Sequence, residues 1–309
     1  MSLLVFDIGG TSIRAGAFAE GRITAVARTA ADAVRGEGDP LPRLEATLAR
    51  LAGQVLTNGP PEAVSLAVPG PVTGGLAHRL PSLLGPTYAG GLDFVDLAER
   101  LWPGLPAVAC NDLTAAGHLY VARGDSDFGV LTLGSGVGCK LFVGGRPLLG
   151  PRGFGGEIGH WRVPGAALIA CDCGGIGHLS ALASGRGIAR LAAFRGLPGK
   201  SPEAVVAAYH AGEQRAARIM EESAQALGAA IAAMGLAAGL ETFHLTGGFA
   251  LAAGEPYCRL AADAAQGHAW DQGAPFDLRL AAAEEEPGLL GAGFYALAMR
   301  SGGRHGPRA

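Results

Sequence analysis

The chain is poor in charge and has no excess of basic residues. Of its 309 residues 17% are charged, and 24 lysines and arginines stand against 27 aspartates and glutamates, a formal net charge of −3. This balance excludes a broad basic surface for nucleic acid and a polybasic membrane anchor. The low charge and the 49% of apolar residues argue against intrinsic disorder. An anionic ligand must therefore be bound by local groups.

Long hydrophobic runs are also lacking, and we expect no leader. The start, MSLLVFDIGG, has no basic segment and reaches Asp7 early, unlike a signal or transit peptide. The longest uncharged, mostly apolar run, 224–240, is too short and too rich in alanine and glycine to span a membrane. We therefore expect a cytoplasmic protein. The five cysteines are an odd number, and a reducing compartment favours thiols that are free or bind metal.

Strand and helix patterns alternate along the chain. Short β-branched runs are followed by Ala- and Leu-rich stretches of helical period, which predicts an α/β protein. Residues 3–8, 12–18 and 22–29 predict an antiparallel meander. Residues 128–133 and 139–143 repeat its strand, glycine turn and strand. We expect two similar cores, one in each of two domains.

Glycine is abundant, and three glycine-rich segments share a place at the end of a predicted strand: Gly9, Gly10 and Thr11; Gly134, Ser135 and Gly136; and Gly247 and Gly248. Because glycine has no Cβ, backbone N–H groups in such turns can converge on a phosphate. Asp7, before the first turn, could hold Mg²⁺ through water. One such segment could equally be an ordinary hairpin turn. Three of them favour phosphate binding.

Six motifs carry a resemblance to a known family: DIGGTSIRAG, CNDLTAAG, LTLGSGVG, GFGGEIGHW, CDCGGIGHLSALASG and LTGG. In order and approximate spacing they resemble the ROK family of sugar kinases and related repressors, within the actin-like ATPase superfamily. The resemblance runs from Asp7 to about Gly293, and its cysteine–glycine motif is family-specific. It implies a two-domain α/β actin-like (ribonuclease H-like) ATPase fold with the active site in the interdomain cleft. The smaller domain would be 1–114 plus about 288–309, and the larger one, 115–287, would carry a zinc-binding loop.

The resemblance also implies a reaction, the ATP-dependent phosphorylation of a sugar or polyol hydroxyl. Asp112 would be the general base, and Asn111, Glu157 and His160 would bind substrate hydroxyls. ATP and Mg²⁺ would lie at the three glycine segments, with the adenosine at the third. Without the family, an Asn-Asp pair after a strand is the usual pattern of a helix N-cap.

A structural Zn²⁺ ion is implied as well. Its ligands would be His160, Cys171, Cys173 and His178, and His178 replaces the family's usual cysteine. Two thiolates and two imidazoles remain a competent tetrahedral set. The alternative is two buried thiols and two surface histidines. Zinc would fix the loop that carries Glu157 and His160.

Two departures from the glucose-type members concern the substrate. Ser180 stands where many of them have a sugar-binding glutamate, and Ser82 where they tend to have asparagine. The loss of a hydrogen-bonding partner argues against glucose and for a modified sugar or a cyclitol. Ser180 could instead reach the same hydroxyl through water.

A second hypothesis is a regulator or sensor that binds a sugar without phosphorylating it. The family's repressors carry a DNA-binding segment before the first glycine motif, and we expect none here because Asp7 leaves no room for it. The retained Asp112 favours the kinase. We expect a small-molecule sugar or cyclitol substrate, no nucleic-acid or membrane partner, and the homodimer that is the default of the family.

Overall fold

The computed structural model of the chain describes residues 2–57, 59–85, 88, 90–166, 168–197, 199–269, 275–282 and 286–301. The chain divides into two compact units. Unit 1 consists of Met1–Asp125, Leu149–Phe154 and Glu286–Ala309, and unit 2 of Ser126–Leu148 and Gly155–Glu285. The domain limits expected from the sequence, 1–114 with about 288–309 and 115–287, remain a prediction, and 302–309 lie outside the described residues.

Strands and helices alternate, as the α/β pattern predicts. The strands are β1 (Ser2–Ile8), β2 (Ser12–Ala19), β3 (Arg22–Ala30), β4 (Ala63–Val68), β5 (Val72–Thr73), β6 (Leu76–Ala77), β7 (Leu92–Asp93), β8 (Ala107–Asn111), β9 (Phe128–Leu133), β10 (Val137–Val143), β11 (Arg146–Pro147), β12 (Thr242–Thr246) and β13 (Asp277–Leu280). The α-helices are α1 (Leu41–Val55), α2 (Pro81–Leu84), α3 (Phe94–Leu101), α4 (Asp112–Ala122), α5 (Gly185–Phe194), α6 (Pro202–His210), α7 (Gln214–Ala238), α8 (Gly248–His268) and α9 (Pro287–Ser301). Short 3₁₀ turns lie at Ala31–Ala33, Ile158–His160 and Leu179–Ala181.

Among its described residues, unit 1 forms a five-stranded sheet in the order β3-β2-β1-β4-β8. Strands β1, β2 and β3 are antiparallel neighbours, which confirms the predicted meander, and β1, β4 and β8 run parallel. Helices cover both faces of the apolar β1. Leu44 and Leu48 of α1 belong to one core cluster with Phe6, and Leu289 of α9 belongs to another with Val5. The carboxyl ends of β1, β4 and β8 therefore meet at one edge of the sheet.

Unit 2 repeats this arrangement. Its described residues form a sheet in the order β11-β10-β9-β12-β13, in which β9 and β10 are antiparallel and β12 runs parallel to β9 and β13. A Cβ added to Gly228 of α7 would lie 2.6 Å from the Ala261 carbonyl oxygen of α8, so glycine allows these two helices to pack closely. Each unit thus has a glycine-turn hairpin beside a parallel strand, as the repeated motif predicts. In the part of the chain that the structure describes, no helix is long and apolar enough to cross a membrane.

Candidate active site and metal site

The first glycine turn, residues 9–11, joins β1 to β2 directly after Asp7. The Gly9 N–H donates to the Ser12 carbonyl oxygen at 2.9 Å and closes the turn. A Cβ added to Gly10 would lie only 2.9 Å from the Cβ of Ser82. The structure therefore brings three predicted features of unit 1 together, namely the carboxylate, the phosphate turn and Ser82.

Asp7 is 8% exposed and has charged neighbours. Its Oδ2 lies 3.2 Å from Arg14 Nη2, Arg14 also pairs with Glu286, and Arg28 donates to Glu286 at 3.1 Å. Burial raises the pKa of Asp7 above its ordinary value, while Arg14 lowers it and Glu286 adds to the rise. A Cβ on Gly288 would clash with the Asp7 carboxylate, so this glycine lets α9 begin directly against it. Asp7 is thus a buried carboxylate that forms an ion pair with Arg14.

Arg35 connects the first glycine turn to Ser82. Its guanidinium donates to the carbonyl oxygens of both Gly10 and Ser82, and it also donates to Asp32 at 2.7 Å. The arginine therefore fixes the backbone of the turn and of the segment that carries Ser82.

Asn111 and Asp112 lie where β8 ends and α4 begins. The Asn111 Oδ1 accepts from the N–H groups of Leu113 and Thr114 at 3.0 and 3.2 Å, so Asn111 is the N-cap of α4. This confirms the N-cap that an Asn-Asp pair after a strand predicts. Its Nδ2 donates to the Gly70 carbonyl oxygen at 3.0 Å and to Asp112 Oδ1 at 2.8 Å. These contacts engage both donors and both lone pairs of the amide. Asn111 thus fixes Asp112, which is half-buried at the end of the strand.

The second glycine turn, residues 134–136, joins β9 to β10 in unit 2. The Gly134 N–H donates to the Gly136 carbonyl oxygen at 3.0 Å, and Ser135 and Gly136 at the tip are exposed. The Oγ of Ser180 accepts from the Val137 N–H at 3.1 Å. Ser180, which the sequence predicts at the substrate site, therefore holds the first residue of β10.

The third glycine segment follows β12 and begins α8. Gly247 has a φ of +98°, and a Cβ there would lie 2.7 Å from the Leu133 carbonyl oxygen and from Thr132 Oγ1. Both the backbone conformation and this contact favour glycine. A Cβ on Gly248 would meet no described atom within 4 Å. Because Gly247 packs on the end of β9, the two glycine segments of unit 2 lie together.

Glu157 precedes the 3₁₀ turn that contains His160. The buried Lys140 of β10 donates from Nζ to the Gly155 carbonyl oxygen at 2.5 Å, and Nζ lies 3.4 Å from Glu157 Oε1. The Glu157 side chain is 36% exposed and that of Lys140 is 1% exposed. The carboxylate thus reaches the surface, and the ammonium lies in the interior behind it.

A Cys/His cluster follows the same turn and consists of four predicted ligands: His160, Cys171, Cys173 and His178. Their ligand atoms all lie within 4.8 Å of one another, and Cys173 Sγ is 3.1 Å from His178 Nδ1. Two thiols and two imidazoles are the donor set of a tetrahedral zinc site. The alternative of two buried thiols is wrong, because Cys173 is exposed and lies against a histidine.

Sequence reasoning missed four residues that contact these sites: Arg14, Arg35, Lys140 and Glu286. Arg14 lies directly across the hairpin from Asp7, so the register of a predicted hairpin could have identified it. Lys140 is a lone charge among apolar strand residues, a pattern that predicts a buried ion pair. Glu286 lies 272 positions from Arg14, and no local signal connects them.

Comparison with known proteins identifies the family. Residues 3–299 match the model of the ROK family. The chain is 35% identical over 298 residues to a C(7)-cyclitol 7-kinase of Streptomyces hygroscopicus subsp. jinggangensis (84% of this chain, 83% of the relative) and 31% identical over 308 residues to an N-acetylmannosamine kinase of Escherichia fergusonii (96% and 98%). The crystal structure of a ROK hexokinase from Thermus thermophilus matches with a TM-score of 0.76 and 31% identity over 98% of this chain and 100% of that chain. The fold is the mixed α/β fold of actin-like ATPases, and the chain belongs to the ROK family.

Proposed function

We propose that the protein is an ATP-dependent kinase that transfers the γ-phosphoryl group to a hydroxyl of a sugar or sugar-like polyol. The observation that carries the proposal is the fixed carboxylate of Asp112, held by the Asn111 amide at the sheet edge where the first glycine turn also lies. Phosphoryl transfer to an alcohol needs a base that accepts the hydroxyl proton and a site that binds the phosphates. It requires little covalent chemistry from the protein itself. The kinase relatives support the same reaction class.

Asp112 would act as the general base. It would take the proton of the acceptor hydroxyl while the hydroxyl oxygen forms its bond to the γ-phosphorus and the bond from that phosphorus to the leaving ADP oxygen breaks. The backbone N–H groups of the first two glycine turns would hold the phosphates, and Gly247 and Gly248 would face the adenosine. Gly10 packs against Ser82 and Gly247 against the end of β9, so the backbone of both segments is held in place before a nucleotide binds.

Asn111, Glu157 and His160 would orient the acceptor. The contacts of Asn111 limit its contribution to acceptor binding, because a substrate hydroxyl would have to use a donor or a lone pair that already has a partner in the protein. Its larger part would be to position Asp112. Glu157 is the stronger candidate for a substrate hydroxyl, because its carboxylate reaches the surface.

Two metal ions accompany the proposal. Asp7 fits a water-mediated Mg²⁺ site, because carboxylate oxygens suit this hard cation; bound Mg²⁺ would neutralise phosphate charge. The Cys/His cluster fits Zn²⁺ in its donor set and in the proximity of its four ligand atoms. Zinc would hold the loop that carries Glu157 and His160 and take no part in the chemistry.

The substrate we propose is a modified sugar or a cyclitol. Ser82 and Ser180 are short, and the Ser180 hydroxyl already accepts from the Val137 N–H. A site without the longer polar side chains offers glucose fewer hydrogen bonds. The relatives that act on a C7 cyclitol and on N-acetylmannosamine support this substrate class.

The test is acceptor-dependent ADP release from Mg-ATP. The panel comprises glucose, N-acetylmannosamine, myo-inositol and a C7 cyclitol bearing a hydroxymethyl group. We expect turnover, with kcat/KM higher for the cyclitol or N-acetylmannosamine than for glucose. A preference for glucose would overturn the substrate assignment. Calorimetric binding of an acceptor without any ADP release would favour the non-catalytic sensor.

We also expect a homodimer in the cytoplasm, without a nucleic-acid or membrane partner. The family likeness supports the dimer, and the lack of a basic excess supports the expected absence of a nucleic-acid partner.

A further inference from the structure

Lys140 is a charged side chain inside unit 2 to which the proposed reaction gives no role. It lies on β10 opposite Val130 of β9, and its side chain is 1% exposed. A lysine ammonium in such a place loses its hydration, which is costly unless polar groups replace the water. This desolvation cost is present at a position where an apolar side chain would share a face of β10 with the buried Phe142.

Two of the groups that replace water around Lys140 come from the segment with the predicted acceptor-binding carboxylate. Nζ donates to the Gly155 carbonyl oxygen at 2.5 Å and lies 3.4 Å from Glu157 Oε1. The carbonyl contact anchors the ammonium beside the backbone. The carboxylate contact then determines where one oxygen of Glu157 lies.

Two glycines hold this segment against β10. Gly156 has a φ of +87°, and a Cβ there would clash with the carbonyl oxygen of Cys139. A Cβ on Gly159 would clash with the carbonyl oxygen of Val137. Close backbone contact on both sides of Glu157 therefore fixes the position of its backbone relative to Lys140. The ion pair thus depends on this packing as well as on the two side-chain conformations.

We propose that Lys140 is a positioning residue for acceptor recognition, an inference that rests on the proposed function. The buried ammonium holds Oε1 of Glu157, and the carboxylate then presents Oε2 to a hydroxyl of the acceptor. The exposure of the two side chains fits these roles, since the lysine is enclosed and the glutamate is open to a ligand. Lys140 acts through Glu157 and does not touch the substrate.

The first test is Lys140→Met, which keeps most of the length of the side chain and removes the charge. We expect the KM for the best acceptor of the panel to rise about 10-fold, with kcat changed less than about 3-fold and the KM for ATP unchanged. The control is Val143→Met on the same strand, whose exposed side chain lies outside the pair. An unchanged acceptor KM in a folded Lys140→Met protein would overturn the inference. If that variant does not fold, Lys140→Gln, which also removes the charge, takes its place with the same expected rise in acceptor KM.

A double-variant cycle separates positioning from a purely structural role. If Lys140 acts through Glu157, the acceptor KM of Lys140→Met/Glu157→Gln should equal that of Glu157→Gln within about 2-fold. Independent multiplication of the two effects would contradict the inference.

The test also distinguishes failure of the inference from failure of the proposed function. If the parent releases no ADP with any acceptor, the kinase proposal fails, and the inference is decided by crystal structures of the parent and of Lys140→Met. A Glu157 carboxylate displaced in the variant supports positioning by Lys140, and the same carboxylate position in both overturns it.

Discussion

The two units contain the same hairpin with different chemistry around its turn. In unit 1 the second cross-strand pair from the turn consists of Asp7 and Arg14, which form an ion pair. In unit 2 the register-equivalent residues are Thr132 and Gly138, which carry no charge. Both turns are closed by one backbone hydrogen bond, at 2.9 Å in unit 1 and 3.0 Å in unit 2.

The supports of the two turns differ in the same way. Arg35 binds the first turn through the Gly10 carbonyl oxygen, whereas the Ser180 hydroxyl and the close packing of Gly247 support the second turn without charge. The two units thus have the same hairpin backbone, with charged groups around the turn of unit 1 and uncharged groups around the turn of unit 2. Under the proposed function, the charged turn (residues 9–11) would bind the metal-bound phosphate, and the neutral turn (residues 134–136) would bind the rest of the nucleotide through its backbone.

The largest effect that this comparison predicts is on Asp112 of unit 1. Asp112→Asn should lower kcat by about 10²- to 10⁴-fold, because the general base is lost. Acceptor binding should stay within a few-fold, since the asparagine oxygen can still accept from Asn111 and Leu113. Steady-state ADP release and calorimetry measure the two quantities. Asp127→Asn is the control in unit 2, where that carboxylate accepts from the Gly144 N–H at 2.9 Å, and it should leave turnover unchanged. Parent-like turnover by Asp112→Asn would refute the assignment.

Substitutions of the equivalent residues beside the two turns should differ by about two orders of magnitude in their effect on kcat. Asp7→Asn should lower kcat by about 10²-fold and raise the Mg²⁺ concentration required, because a charged group at the phosphates is lost. Thr132→Val should cost less than about 3-fold. The assay is ADP release across a Mg²⁺ titration. Equal losses would show that the charge difference between the turns has no functional consequence.

Asp7→Asn should also change stability in a pH-dependent way. Burial raises the folded-state pKa of Asp7, so its ionisation costs stability at neutral pH, and that stability returns as the pH falls through the raised folded pKa. The variant should therefore melt higher than the parent at pH 7, and this advantage should shrink in acid. A lower Tm at pH 7 would mean that the pair with Arg14 outweighs the cost of burial.

Local sequence patterns predicted the parts of both sites that depend on neighbouring residues. Glycines after β1, β9 and β12, the Asn111 cap and the Cys/His loop all lie within a few positions of the groups they serve. Short-range backbone geometry determines such features, so residue type and spacing are enough to find them.

The groups that set the electrostatics could not be predicted in this way. Glu286 reaches Arg14 from the start of α9, and Arg35 reaches Ser82 across 47 positions. Their partners are chosen by how the helices and loops pack on the sheet, which a single sequence does not encode locally. The hydrogen bond between the Ser180 hydroxyl and the Val137 N–H could not be predicted for the same reason, because the two residues lie 43 positions apart.

Loss of zinc should change nucleotide binding at the neutral turn (residues 134–136) and leave the Mg²⁺ requirement at the charged turn (residues 9–11) unchanged. His178 directly precedes the 3₁₀ turn that contains Ser180, so His178→Ala should abolish stoichiometric zinc, lower the Tm by several degrees and raise the KM for ATP about 2- to 5-fold. The Mg²⁺ requirement should not change. Elemental analysis, melting curves and kinetics measure these quantities, and the exposed His268→Ala is the control. Zinc retained at one ion per chain would contradict the ligand role of His178.

The smallest effect concerns a histidine in the core of unit 1. His118 lies on α4 with its ring 5.1 Å from that of Tyr295, and burial lowers its pKa from 6.5 to about 4. The neutral ring is therefore favoured in the folded state, and the stability it contributes is complete above pH 6.5 and is lost as the pH falls towards 4. Between pH 7 and pH 5 the parent should lose about 2 kcal/mol from this group, and His118→Phe, which keeps an aromatic ring against Tyr295, should not show this loss. Denaturant unfolding at both pH values measures the difference, and an equal loss in the two proteins would show that His118 is not the source of the acid sensitivity.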